Sequence, residues 1–151
     1  MRKVIVAGLG LGLCIAASGC SVAGPVGAGN AYIAVPVTGG TTDAYVEIRN
    51  NGAADELISA QLSTGGTVTL RAPVTHGAQV LSMRSVSEIP IPADSTVHLA
   101  PNGYHLLITG AADLRSGKAI TLKLTFAHAG TISVVALVTN PQSGGSSYFL
   151  N

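Results

Sequence analysis

Cysteine is almost absent from this chain of 151 residues. The two cysteines, Cys14 and Cys20, both lie in the first twenty residues. We expect Cys14 to be removed with a leader segment and Cys20 to be modified at the end of that leader, so the mature chain is expected to carry no free thiol. This excludes a disulfide scaffold, a cysteine-based zinc site and thiol nucleophile chemistry. Any site for a soft metal must therefore use methionine and histidine.

Tryptophan is absent, and charged residues make up only 10% of the chain. The core must therefore be built from Val, Leu, Ile and Ala, and the chain is long enough for one domain with a single sizeable core. Without Arg2 and Lys3, which belong to the leader, six basic residues face seven acidic ones. A net charge of about −1 gives no electrostatic reason to expect a nucleic acid as partner.

The first twenty residues have the layout of a secretory leader. Arg2 and Lys3 precede an uncharged run of 14 residues that ends at Ala17, and small residues lead from there to Cys20. The run is shorter than the about 20 apolar residues that a membrane span needs. The residues before Cys20 resemble the lipobox of bacterial lipoproteins, which implies a signal peptide over residues 1–19 and a diacylglyceryl group on Cys20. The alternative is a plain signal peptide in which Cys20 is incidental.

Two acyl chains on Cys20 would anchor the protein stably, since each buried CH2 contributes about 0.8 kcal/mol and a single chain is marginal. The lipid anchor thus predicts the membrane as a partner and a location at the cell membrane, on its extracytoplasmic side. Residues 20–30 are rich in Gly, Ala and Pro and are interpreted as a flexible tether. Residues 141–151 form a polar tail that ends in a small apolar patch, and whether this tail docks on the domain is left open.

The sequence pattern of residues 31–140 predicts a single all-β domain, which is an antiparallel or mixed β-sandwich. Short segments rich in β-branched residues alternate apolar and polar positions at spacings near ten residues, and Gly and Asn turns separate them. Only 111–114 is expected to form a helical turn. The predicted strands are Ala31–Val37, Ala44–Asn50, Glu56–Leu62, Thr67–Val74, Gln79–Val86, Ser95–Leu99, His105–Thr109, Ala119–Phe126 and Thr131–Thr139.

No catalytic constellation is visible in the sequence. The carboxylates lie mostly at turns or on alternating polar faces, and none stands in a grouping with a His and a hydroxyl that would suggest nucleophilic or acid–base catalysis. We therefore expect a protein that is not an enzyme.

Several motifs resemble the PCuAC-type copper chaperones of the bacterial cell envelope, over about residues 43–138. The most specific stretch joins Ile89–Pro90–Ile91–Pro92–Ala93 to a segment that ends at His105. This resemblance implies a cupredoxin-like β-sandwich and the binding of Cu(I) through His and Met side chains. The further segments that carry it are Asp43–Asn50, Met83–Arg84, Pro101–His105 and Leu122–Phe126.

The copper motif of this family is a His, then a Met, then His-x-Met on a later strand, and only part of it is present. Met83 and His105 have the spacing of the motif. The later Met is replaced by Leu107, which has no lone pair to offer. The first His falls at Arg71, or at Ala72, and neither can bind copper because Arg71 is a fixed cation.

A Met–His pair can hold Cu(I) weakly, since this ion is soft and tolerates low coordination numbers. His76 is the candidate for a third ligand, whereas His98 is expected to face away and His128 to be a solvated turn residue. Each candidate also has a purely structural interpretation. Met83 would fill the core, His105 would be a buried imidazole bonded to the backbone, and His76 would be exposed. Arg71 is either an ordinary exposed strand residue or a replacement that fills the vacated site.

The resemblance implies an envelope lipoprotein that carries copper to a recipient protein, which in the family is the copper centre of a respiratory oxidase. The rival hypothesis is a family member that has lost the metal and acts as a structural or protein-interaction module. Arg71 and Leu107 favour this rival, because they stand at positions where the family has metal ligands. Retention of the fold does not argue against it, since a fold does not determine a function.

Overall fold

The computed structural model describes residues 24–36 and 40–140. The predicted signal peptide (1–19), Cys20 and the tail (141–151) lie outside the described residues. Within the described ranges, no helix has the length and apolar character to cross a membrane. Over residues 24–36 and 40–140 the structure has ten strands: β1 (Val26–Ala34), β2 (Thr41–Asn50), β3 (Asp55–Leu62), β4 (Thr67–His76), β5 (Gln79–Ser85), β6 (Ile89–Ile91), β7 (Ser95–His98), β8 (His105–Thr109), β9 (Ala119–Phe126) and β10 (Gly130–Thr139).

The strands form one mixed sheet that folds over on itself. The order across the sheet is β5-β4-β8-β2-β1-β10-β9-β3-β6, and β7 pairs with β2 off this path. Strands β1 and β10 run parallel, whereas the other neighbours are antiparallel. Because β3 also contacts β4 from the other end of this order, the two halves of the sheet face each other as a sandwich. The predicted all-β, mixed sandwich is confirmed.

The core lies between the two halves and is aliphatic. Strand alternation sends every second side chain inward. Among the described residues, the twelve largest fully buried side chains lie at such inward positions. They are Ile33, Val46, Ile48, Leu57, Ile89, Ile91, Leu106, Ile108, Ile120, Leu122, Leu124 and Val138. Each such Leu or Ile contributes about 1.5–3 kcal/mol through burial, which explains how a domain without tryptophan holds together.

The start of the domain differs from the sequence-based expectation. The first strand begins at Val26, so residues 26–30 belong to β1 and not to the predicted tether. This segment pairs with β2, with Val26 opposite Asn50 and Gly29 opposite Glu47. This Gly-rich segment has no apolar–polar alternation from which a strand could be predicted. It pairs with β2 nevertheless, because the hydrogen bonds of a sheet are made by the backbone.

Strand β6 was not predicted either. It has only three residues and lies at the sheet edge, where Pro90 is tolerated because an edge strand does not need every N–H.

The predicted helical turn at 111–114 is wrong. Gly110 and Asp113 adopt positive φ angles of 68° and 63°, which turn the chain away from the right-handed helical region.

A buried amide holds the turn after β2. Asn50 is fully buried, and its Nδ2 donates to the carbonyl oxygens of Ala53 at 2.7 Å and Pro92 at 3.1 Å. Its Oδ1 accepts from the N–H of Gly52 at 3.0 Å. The side chain therefore ties the end of β2 to the segment after β6, and both its donor and its acceptor are used.

Candidate functional site

Two of the three predicted ligands, Met83 on β5 and His105 on β8, lie on the outer face of the sheet. Residues directly opposite on paired strands point to the same face of a sheet. Arg71 on β4 is opposite His105 on β8, and Pro73 is opposite Met83 on β5. On β4 and β8 the inward positions are the buried Leu70, Ala72, Leu106 and Ile108, so Arg71, Met83 and His105 all project outward.

Strand β4 separates Met83 from His105. Two strand spacings amount to about 10 Å across the sheet, and the two-residue offset adds about 7 Å along it. Met83 is half-buried and does not belong to the hydrophobic core. The structure therefore places both predicted ligands on one face, with one strand between them.

Arg71 lies between these two positions and is half-buried. Its guanidinium donates from Nη2 to the carbonyl oxygen of Met83 at 2.8 Å and from Nη1 to Oγ of Ser85 at 3.0 Å. The side chain thus leans toward β5 and places a cation beside the Met83 backbone. Of the two interpretations of Arg71, this contact supports the one in which it fills the space.

His105 is held firmly at the start of β8. Its side chain is only 10% exposed, and Nδ1 lies 3.1 Å from the carbonyl oxygen of Gly103. A carbonyl can only accept, so Nδ1 must carry the proton in this hydrogen bond. The ring of Tyr45 lies at 6.3 Å from the imidazole, tilted by 50°. In the neutral imidazole, Nε2 is then left with a free lone pair.

Asp43 on β2 stands next to this nitrogen, a proximity that the sequence did not reveal. Its Oδ1 is 3.6 Å from Nε2 of His105, is itself buried, and has no hydrogen-bond partner. Asp43 is directly opposite Leu107, two residues after His105. Alternation along β2 places Asp43 on the face of Tyr45, but only the register between β2 and β8 brings it to His105.

His76 is not brought to this pair. It is exposed at the end of β4, opposite Gln79 in the hairpin with β5. Strand β4 pairs with β8 only as far as Arg71, so the hairpin projects beyond the sandwich. Five residues separate His76 from Arg71, which is about 17 Å of strand. In the structure, His76 is therefore remote from His105.

The other two histidines pair with carboxylates elsewhere. His98 is exposed and lies 3.9 Å from Oε2 of Glu47. His128 is 76% exposed, and its Nδ1 lies 3.2 Å from Oδ1 of the buried Asp55. Burial raises the pKa of Asp55, but hydrogen bonds from the backbone N–H groups of Glu56, Ala129 and His128 and from the His128 ring outweigh it, so the pKa is lowered. His128 thus belongs to a structural contact.

Two tyrosines continue the outer face beside His105. The rings of Tyr32 and Tyr45 lie 5.2 Å apart, and the pKa of each is raised to about 12. Burial is the main cause for both. The neighbouring Tyr45 adds to the shift of Tyr32, and Asp43 adds to that of Tyr45. The tyrosines stay neutral at physiological pH and form an apolar wall on one side of His105.

Over the part of the chain that the structure describes, no three residues drawn from His, Cys, Asp and Glu are grouped so that they could hold a metal ion. The donor groups near His105 are therefore the imidazole itself, the Asp43 carboxylate and, across β4, the Met83 thioether. A metal ion bound here would therefore have few ligands from the protein.

The comparisons with known proteins agree with this architecture. The family model described as "Putative lipoprotein LpqE-like" matches residues 26–138. The chain is 31% identical over 112 residues to the "Putative lipoprotein Lxx21020" of Leifsonia xyli subsp. xyli (strain CTCB07), which covers 73% of this chain and 67% of that protein.

Two solved structures are similar in fold. One is the copper-bound PCuAC domain from PmoF2, with a TM-score of 0.65 and 21% identity over 80% of this chain and 97% of that chain. The other is the solution structure of CuI-DR1885 from Deinococcus radiodurans, with a TM-score of 0.63 and 25% identity over 82% of this chain and 83% of that chain. The predicted PCuAC-type, cupredoxin-like fold is confirmed.

Proposed function

This chain belongs to the LpqE-like lipoprotein family, and from that membership we propose that it is a lipid-anchored envelope protein that binds copper on the outer face of its sheet. The similarity to a copper-bound PCuAC domain and to CuI-DR1885 supports copper as the cargo. The role is binding and handover, and no catalytic step is part of it.

The observation that carries this proposal is the state of His105. Metal-ligating histidines commonly donate their other ring N–H to a backbone carbonyl, which fixes the tautomer and the orientation of the ring. His105 makes this hydrogen bond to Gly103, so the same contact that holds the loop also prepares Nε2 to bind a metal ion. Met83, on the far side of β4, is the proposed second ligand, and imidazole with thioether is a donor set that suits Cu(I). Because Nε2 stands beside Asp43 on β2, binding through both ligands requires the two side chains to turn toward each other over Arg71.

The proposed site is weak and open. His76 lies too far along β4 to complete it, and the Arg71 cation beside Met83 opposes the approach of a positive ion. An exposed site with few ligands suits handover, because the ligands of a recipient must reach the metal. The proposed recipient is the copper centre of a respiratory oxidase.

Titration of the purified protein with Cu(I) against a competing chelator tests this proposal. We expect Met83→Leu and His105→Ala each to weaken binding strongly, because each removes one of two soft ligands. His98→Ala is the matched control, since it removes an exposed imidazole on β7. Binding by the wild-type protein weaker than about 1 μM, or about −8 kcal/mol, contradicts the Cu(I) proposal.

Two further measurements test the anchor and the handover. Cys20→Ser should release the protein from the membrane fraction, and unchanged partition into membranes would refute lipidation. Copper-loaded protein mixed with the apo copper-binding domain of a respiratory oxidase should lose its copper to that domain. Retention of the metal argues against this recipient.

The second candidate function is a protein-interaction module without metal. The guanidinium of Arg71 on the Met83 carbonyl and the absence of a lone pair at Leu107 favour it. It predicts that neither the wild type nor Arg71→Ala binds Cu(I). The copper proposal predicts instead that removing this cation strengthens binding.

A further inference from the structure

The contact between Asp43 and His105 has the wrong length for a hydrogen bond. An N–H···O hydrogen bond spans 2.7–3.2 Å, whereas Oδ1 of Asp43 lies 3.6 Å from Nε2 of His105. The same oxygen is buried and has no hydrogen-bond partner. A buried acceptor without a hydrogen-bond partner costs about 1–3 kcal/mol, and a cation bound between the two atoms would offset this cost.

A metal ion fits that distance. Zn(II) holds imidazole nitrogen at about 2.0–2.1 Å and carboxylate oxygen at about 2.0–2.2 Å, so two such ligands at a tetrahedral angle stand about 3.4 Å apart. The 3.6 Å between Oδ1 and Nε2 lies close to this value. Neighbouring ligands at the right angle that Cu(II) prefers stand about 3.0 Å apart, so the two side chains must approach each other by about half an ångström to hold Cu(II).

The state of both side chains agrees with this arrangement. Nδ1 of His105 is engaged by the carbonyl of Gly103, which leaves Nε2 as the ligand atom. The Asp43 side chain is 39% exposed although its Oδ1 is buried, so solvent reaches the carboxylate on one side while Oδ1 is turned toward His105. Backbone pairing in β2 and β8 holds the two residues in place without any metal.

We propose that Oδ1 of Asp43 and Nε2 of His105 form a site for a divalent transition-metal ion, Cu(II) before Zn(II), on the outer face of β2 and β8. Carboxylate is a hard ligand and disfavours Cu(I), whereas Cu(II) is bound most tightly among first-row divalent ions. His105 thus serves two donor sets, with Met83 for Cu(I) and with Asp43 for Cu(II). This inference rests on the proposed function only in that both use His105 to bind copper.

The test is a titration of the purified protein with Cu(II), and separately with Zn(II), against competing chelators. We expect Asp43→Asn to weaken Cu(II) binding at least about tenfold, because the amide keeps the shape of the side chain but loses the anionic ligand. Glu47→Gln is the matched control: it removes a carboxylate on the same strand and face, two residues beyond Tyr45, and should leave Cu(II) affinity unchanged. Thermal unfolding of each variant confirms that the fold is retained.

Cu(I) titration of the same variants separates this inference from the proposed function. Asp43→Asn should leave Cu(I) binding unchanged, and Met83→Leu should weaken Cu(I) binding while leaving Cu(II) binding unchanged. If the protein binds Cu(II) through Asp43 but does not bind Cu(I), the Cu(I) proposal fails and this one stands. If Asp43→Asn binds Cu(II) as tightly as the wild type, or if the wild type binds no Cu(II), the present inference is overturned.

Electron paramagnetic resonance of the Cu(II)-loaded protein gives a readout that does not depend on affinity. The spectrum should show one imidazole nitrogen in the wild type and in Glu47→Gln, and should change in Asp43→Asn. Identical spectra in the wild type and Asp43→Asn would show that the carboxylate is not a ligand.

Discussion

The carboxylate of Asp55 is expected to make the domain sensitive to acid. Its side chain is 3% exposed. The carboxylate accepts from the backbone N–H groups of Glu56 at 2.8 Å, Ala129 at 2.8 Å and His128 at 3.0 Å. It thereby joins the start of β3 to the hairpin between β9 and β10. Burial raises its pKa, but these donors outweigh burial and the net pKa is lowered.

The sign of the pH dependence follows from the lowered pKa. The ionised form is favoured in the folded protein, so this contribution to stability is fully present above the unfolded pKa of about 3.9. It is lost as the pH falls through the lower pKa of the folded state. At neutral pH, replacing the carboxylate by Ala leaves three backbone donors without their acceptor, and each unsatisfied buried donor costs about 1–3 kcal/mol. Because solvent reaches the exposed hairpin at His128, we expect a total of about 3–5 kcal/mol for Asp55→Ala.

Urea unfolding at pH 7 and pH 3 measures this effect. Asp55→Asn keeps one acceptor oxygen, so we expect it to cost about half as much as Asp55→Ala at pH 7. The difference between the wild type and Asp55→Asn should shrink at pH 3, which is below the unfolded pKa of about 3.9, because the carboxyl of the unfolded wild type then binds a proton. Asp94→Asn is the control, because it makes the same chemical change at an exposed residue with a positive φ that Asn also tolerates. A loss below about 1 kcal/mol for Asp55→Ala, or a difference that does not change with pH, would refute the reasoning.

Three other changes test the structure. Asn50→Asp replaces a buried donor by a charge that faces carbonyl oxygens, and should cost about 3–5 kcal/mol in urea unfolding at pH 7. Gly66→Ala brings a Cβ within 2.8 Å of backbone atoms at a φ of +87°, and should lower stability by at least about 3 kcal/mol. Gly65→Ala, where nothing lies within 4 Å, should cost about 1 kcal/mol, and equal losses for the two glycines contradict the clash. Tyr32 and Tyr45 should ionise near pH 12 in an ultraviolet titration. Their contribution to stability is present below the unfolded pKa of about 10 and is lost as the pH rises through 12. Ionisation near pH 10 contradicts their burial.

The strands could be predicted because their signal is local. Alternation of apolar and polar residues, interrupted by Gly and Asn turns, gave segments that coincide with nine of the ten strands. The parts that were missed have no such alternation. The Gly-rich start of β1 is a strand because β2 offers its backbone partners, and β6 is too short, with Pro90 at its centre, to show a period.

The candidate site was predictable only in part, because sequence patterns are local and do not show which strands pair. His105 and Met83 could be singled out by spacing and resemblance, each without regard to its neighbours. The sequence favours His76 because it is seven residues from Met83 along the chain. The hairpin carries it away from the sheet, because β4 leaves β8 at Arg71.

The sequence by itself determined the all-β class, the aliphatic core and the residue types that are available to a soft metal, since these depend on composition and on the period of a strand. Only the tertiary structure decided which of these residues meet. Asp43 and His105 are sixty-two positions apart in the sequence, and their side chains come within 3.6 Å because β2 and β8 pair in one register. A shift of that register by one residue would turn one of the two side chains to the opposite face of the sheet, so this pair of donors depends on the backbone pairing and not on the sequence pattern of either strand.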